Sequence, residues 1–189
     1  EQQEMLRKMA RDFLTTECPK KLVRDMEEDE KGYSPELWSK MAELGWLGLP
    51  FAEQYGGMAS SFFDLCVLLE EIGRACLPSP FFSTVVLSGL AIAEVGDDAQ
   101  KQDFLTAIAN GERIVAFAFD ETTGGYDAAS IAVEAHSQGD HYTVKGTKLF
   151  VQYANVADWI LVVARTKKSQ KPEDGITLLL VKNEKPGVT

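Results

Sequence analysis

The stretch Gly111–Asp127, GERIVAFAFDETTGGYD, decides how this chain is built. Before it, apolar residues recur at helical spacing; from Glu112 onward they fall in short β-branched and aromatic runs parted by Gly, Asp and Asn. The period changes here, and with it the architecture. Within the stretch, alternating aromatic and small residues (Phe117, Ala118, Phe119) run into acid, two threonines and two glycines. A strand therefore ends in a loop whose backbone can approach a partner closely.

Working toward the N-terminus, DDAQKQDFLTAIANG reads as a helix capped by Asp97 or Asp98, striped by Phe104, Leu105 and Ile108, and stopped at Gly111. STVVLSGLAIAEV is nearly all apolar, so a helix buried on most sides is expected. A further apolar helix is expected from Phe62 to Ala75, ended by CLPSP. In GYSPELWSKMAELGWLGLP, Ser34 can cap, Pro35 suits the first helical position, and Leu37, Trp38, Met41 and Leu44 form the stripe up to Gly45. Near the N-terminus, Met5, Leu6, Met9, Phe13 and Leu14 fall at helical spacing.

Toward the C-terminus the strand candidates are RIVAFAF, SIAVEAH, HYTVKG, KLFV, DWILVVAR and GITLLLV, patterned as antiparallel sheet or barrel strands. The expected fold is α+β: an all-α helical domain over 1–111, then a β-barrel or sandwich-like domain over 112–189. GITLLLV lies close to the C-terminus and would leave unpaired edges, so the chain is expected to be part of a longer protein.

Composition narrows the function classes. The 189 residues are 45% hydrophobic and 25% charged, an ordinary globular balance. A formal net charge of −10 gives the long-range field the wrong sign for nucleic acid or an anionic membrane surface, so neither is expected as a partner. No apolar run reaches the roughly 20 residues of a membrane span. Cys18, Cys66 and Cys76 show no C-x-x-C spacing and read as buried free thiols of a reducing compartment. His136 and His141 have no metal-ligand spacing, Glu70 and Glu71 do not face one another on a helix, and no phosphate loop or nucleophile elbow is present. No metal site is expected.

In their order and separation, the strings LWSKMAELGWLGLPFAEQYGG, LEEIGRA, GERIVAFAFDETTGGYD, GDHYTVKGTKLFVQYANVADWILVVART and PGV resemble the acyl-CoA dehydrogenase family. The resemblance covers essentially the whole chain. It implies an N-terminal helical domain, a middle β domain and a C-terminal helical bundle, with the present chain stopping before that bundle. It also implies FAD as cofactor, an acyl-CoA thioester as substrate, an electron-transferring flavoprotein as partner, and a homo- or hetero-oligomer, tetramer or dimer. A cytoplasmic location is expected, with the mitochondrial matrix as the alternative.

The family's flavin loop is matched at Glu121, Gly125 and Asp127 and differs at Asp120, Thr122, Gly124 and Tyr126. KLFVQYAN resembles a second flavin-lining segment, with Phe150 in place of a tryptophan, Val151 alike in character, and Gln152 and Tyr153 replacing threonine and asparagine. The resemblance thus implies cofactor contacts at Phe117, Phe119, Asp120, Gly125, Phe150, Val151 and Gln152, and a substrate contact at Tyr126. The same residues read without it are a β-hairpin loop and an alternating core strand. The implied reaction is α,β-dehydrogenation of the thioester. The catalytic carboxylate of the family lies on the bundle, and no catalytic base is assigned within these residues. The alternative is a non-catalytic or flavin-poor subunit of a heteromeric dehydrogenase, serving thioester binding or assembly. A helical interaction module fused to a β sandwich is a third reading.

Overall fold

The computed structural model describes residues 1–188, in two compact units that meet between Ile114 and Val115. The first contains six α-helices: α1 (Gln2–Glu17), α2 (Lys20–Glu28), α3 (Pro35–Glu43), α4 (Phe62–Ala75), α5 (Leu90–Val95) and α6 (Asp98–Ala109). Their ends follow local chemistry. Ser34 Oγ accepts from Leu37 N at 3.2 Å with Pro35 at the first helical position, and Gly45 (φ 74°) turns the chain out of α3. Ser61 and Asp64 form a reciprocal cap on α4, and Asp97 and Gln100 do the same on α6.

Side chains from α3, α4, α6 and the loop after α3 fill the core of this unit, with Met41, Leu47, Leu65, Leu68, Leu105 and Ile108 essentially inaccessible. Trp38 donates its indole N–H to Gly111 O at 3.0 Å, fixing the end of α6 against α3. Four features depart from the sequence reading. Helix α2 does not figure in the sequence reading; its apolar stripe, Leu22, Val23 and Met26, is only half-buried. On α1, Ala10 and Leu14 are buried while Met5 and Met9 are exposed, because Gln3, Arg7 and Arg11 face α4. The segment Phe82–Gly89 before α5 has wide π-type turns and buries Ser83, Thr84 and Ser88, so it is not the purely apolar helix expected. Cys18 is buried, but Cys66 and Cys76 are exposed, one on the outer face of α4 and the other just past its end.

The second unit is a five-stranded sheet: β1 (Val115–Ala118), β2 (Glu134–Gln138), β3 (His141–Lys145), β4 (Trp159–Arg165) and β5 (Ile176–Lys182). Strand β4 is its centre. It pairs antiparallel with β5 along its whole length, parallel with β1 through Val115↔Trp159 to Ala118↔Val162, and parallel with β2 at Glu134↔Arg165. β2 and β3 form an antiparallel hairpin. The sheet is thus mixed where antiparallel pairing was expected, since the long excursion between β1 and β4 leaves room for a parallel return. The core of this unit is Ala118, Val133, Ala135, Val162 and Ala164, with Val144, Val151, Ile160, Leu179 and Val181 packed on it.

KLFV is not a strand. Phe150 and Tyr153 hold φ of 53° and 58°, left-handed values that no strand residue adopts, and the segment turns instead of pairing.

Candidate functional site

Phe117 in strand β1 and Phe119, one residue past its end, are two residues apart and so lie on one side of the sheet. Their rings lie nearly parallel at 11°, with centroids 6.4 Å apart. The loop after β1 then brings Tyr126 back over Phe119, again at 6.4 Å and within 3° of parallel. Phe117 and Phe119 are half-buried and Tyr126 is 87% exposed. Three aromatic rings therefore form a ladder that runs from the sheet into solvent.

Between these rings the loop shows its backbone. Gly125 has φ 107°, and a Cβ there would stand 2.8 Å from Ser130 Cβ, so only glycine fits. Asp127 closes the loop, with its carboxylate accepting from Ser130 N at 2.9 Å and its carbonyl from Ser130 Oγ at 2.7 Å. Asp120 is half-buried, and its carbonyl accepts from Leu149 N at 2.8 Å.

That last bond joins the loop to the second predicted segment. Lys148 Nζ reaches Glu121 Oε1 at 2.6 Å and Phe119 O at 2.9 Å, while Glu121 also accepts from Ala132 N and Val133 N. Both side chains of the ion pair are under a tenth exposed. Burial works to raise the Glu121 pKa, but the Lys148 ammonium and the two amides outweigh it and hold the carboxyl below its ordinary range.

Two residues beyond Lys148, Phe150 carries its ring 87% exposed on a left-handed backbone. A large exposed aromatic on a sterically costly backbone is an arrangement suited to meeting a ligand. Gln152 is exposed as well. Val151 is different: its half-buried side chain packs on the sheet core.

The structure brings Phe117, Phe119 and Tyr126 together in the ring ladder, and it ties Asp120 to the residue before Phe150. The sequence reading missed Lys148, which joins the two segments. No local signal marked it, because its buried partner Glu121 lies 27 residues away. His136 and His141 are exposed beside Glu134 and Asp140. Among the described residues no group of three or more His, Cys, Asp or Glu could hold a metal ion, and no helix is long and apolar enough to cross a membrane.

A planar ring suits this arrangement, given the backbone opened by Gly125, the ring ladder and the presented Phe150. Residues 1–112 match the family model of the acyl-CoA dehydrogenase N-terminal domain, and residues 116–189 match that of the middle domain. The probable acyl-CoA dehydrogenase YngJ of Bacillus subtilis is 32% identical over all of this chain, which spans 50% of that relative. A glutaryl-CoA dehydrogenase from Mycobacterium smegmatis, solved in complex with FADH2, is 26% identical with a TM-score of 0.83 over 99% of this chain and 47% of its own. The ChsE4-ChsE5 complex from Mycobacterium tuberculosis contains a chain 27% identical, with a TM-score of 0.85 over 99% of this chain and 48% of its own. This chain belongs to the acyl-CoA dehydrogenase family, of whose members it spans the N-terminal and middle domains, about half their length.

Proposed function

We propose that this chain forms the helical and middle domains of an FAD-dependent enzyme that removes the α and β hydrogens of an acyl-CoA thioester. The observation that carries the proposal is the tie between the Phe119–Asp127 loop and the Lys148–Gln152 segment, which joins the ring ladder, the Gly125 backbone and the presented Phe150 in one assembly.

In this reading Phe117 backs Phe119, and Phe119 and Phe150 offer ring area to the flavin without needing a hydrogen bond. The backbone at Asp120, Gly125 and Val151 supplies its polar contacts. Gln152 brings an NH2 donor to the reacting edge, and Tyr126 meets the acyl-CoA. Bound FAD would accept the β hydrogen as hydride. The residues of this chain orient the two partners and keep water from the reacting edge, where alignment contributes most. Proton removal at the α carbon falls to the carboxylate that the family carries on its C-terminal bundle. An electron-transferring flavoprotein is the proposed acceptor, and the proposed assembly is a dimer or tetramer in the cytoplasm or mitochondrial matrix.

A second reading, a flavin-poor subunit of a heteromeric dehydrogenase, is favoured by Asp120 and Gln152, which stand where the family has threonines, and by Tyr126, which stands where it has serine. The experiment is to incubate the full-length protein with saturated acyl-CoAs and an electron-accepting dye, and to follow loss of two hydrogens by mass. Formation of an enoyl-CoA by the protein alone supports the first reading. Formation only with a co-expressed homologous subunit supports the second, and formation in neither case contradicts both.

A further inference from the structure

Glu121 and Lys148 are an expensive way to fill space. A buried ion pair recovers its desolvation cost only with good geometry and extra hydrogen bonds, and apolar residues of similar size commonly stabilise a fold as well. Here every extra bond joins backbone from separate parts of the unit. Glu121 accepts from Ala132 N at 2.8 Å and from Val133 N at 3.1 Å, and Lys148 donates to Phe119 O at 2.9 Å. Beside them Leu149 N donates to Asp120 O at 2.8 Å. Three chain segments, 119–121, 132–133 and 148–149, are thereby joined at one point.

The backbone just beyond this junction is strained. Phe150 and Tyr153 both lie in the left-handed region, which is costly for bulky aromatic residues and persists only where the surroundings impose it. The far side of the segment is held as well, by Asn183 Nδ2 donating to Ala154 O at 2.7 Å and to Ala157 O at 2.9 Å. The strained turn is clamped at both ends, and Phe150 projects from it.

We infer that Lys148 and Glu121 are positioning residues: their ion pair latches the Phe119–Asp127 loop to the Phe150 turn and so sets the geometry of the flavin site. The inference rests on the proposed flavin function for its consequence, though not for the latch itself. Neither side chain touches the reacting atoms. Their effect passes through the loop backbone and the placement of Phe150.

The test uses the full-length protein with Lys148→Met, Lys148→Arg and Glu121→Gln, read by amide hydrogen exchange without flavin and by FAD titration. In Lys148→Met, exchange at Leu149, Ala132 and Val133 should accelerate at least about tenfold while Val162 and Leu179 in the sheet centre stay unchanged, because local opening follows the bonds removed. FAD affinity should fall about tenfold or more and recover in part with arginine, which keeps the charge. Should Lys148→Met not fold, Glu121→Gln keeps the volume and one acceptor and should still speed exchange at Ala132 and Val133. Unchanged exchange at those amides, or unchanged FAD affinity in a folded variant, would overturn the latch. Selective acceleration in a protein whose wild type takes up no FAD would leave the latch standing and contradict the flavin reading.

Discussion

Arg11 grips Glu71 with two nitrogens, Nη2 to Oε1 at 2.6 Å and Nε to Oε2 at 3.0 Å, and so fastens α1 to α4. Arg74 adds a bond at 2.7 Å and Arg7 one at 3.3 Å. The Glu71 side chain is fully inaccessible, so its charge is met almost entirely by these guanidiniums.

Arg11 above all, with Arg74, holds the Glu71 carboxyl well down, from 4.5 to about 2, against the opposing effect of burial. A depressed folded pKa stabilises the protein above the ordinary carboxylate range, and that contribution is lost as pH falls from 4.5 toward 2. Discounted for the half-exposed arginines, it is on the order of 2 kcal/mol. Thermal melts of wild type and Glu71→Gln should converge as pH drops through this window, with wild type the more stable at neutral pH. Parallel curves would show that Glu71 is not the group responsible.

The cap on α4 offers a smaller, local test. Ser61→Ala removes the acceptor for Asp64 N and should cost about 1 kcal/mol in denaturant unfolding. Ser61→Asn, which can cap in the same way, should restore most of it.

Gly125→Ala combines a left-handed backbone with a Cβ 2.8 Å from Ser130 Cβ, so the loop must move. The expected result is a loss of about 1–3 kcal/mol in local stability, seen as faster exchange at Ser130 N. The change should stay within the loop, because Gly125 lies outside the sheet core.

These cases also show what the sequence could reveal. Helices α3 and α6 were legible because Ser34 and Asp97 act within three residues of themselves, and α4 by its apolar run up to CLPSP, while its cap at Ser61 went unread. Helix α2 was not legible, since its stripe of Leu22, Val23 and Met26 is short, set among charged residues and only half-buried. KLFV looked like a strand because its residue types suit one; the turn at Phe150 comes from contacts with Phe119–Glu121, 27 to 29 residues away. The aromatic ladder was half legible: Phe117 and Phe119 by alternation, Tyr126 only by resemblance. Lys148 was invisible locally, as a buried lysine announces itself only through a partner elsewhere in the chain.

Asp120 stands where the family has a threonine. A carboxylate cannot donate to the ring edge that gains negative charge on reduction, and at about 4 Å with an intermediate dielectric it would oppose that charge by about 4 kcal/mol. Asp120→Thr in the full-length protein should therefore raise the flavin midpoint potential by tens of millivolts at unchanged FAD occupancy. An unmoved potential would place the Asp120 carboxylate away from the flavin.

The most direct measurement of the central claim is FAD uptake by the purified full-length protein, wild type and Phe150→Ala, reconstituted with excess FAD and followed by visible absorbance and flavin fluorescence. Wild type should retain FAD with quenched, red-shifted spectra, and Phe150→Ala should retain it more weakly at an unchanged melting temperature of the flavin-free protein. A wild-type protein whose added flavin keeps the spectra of free FAD and washes away completely would contradict that claim.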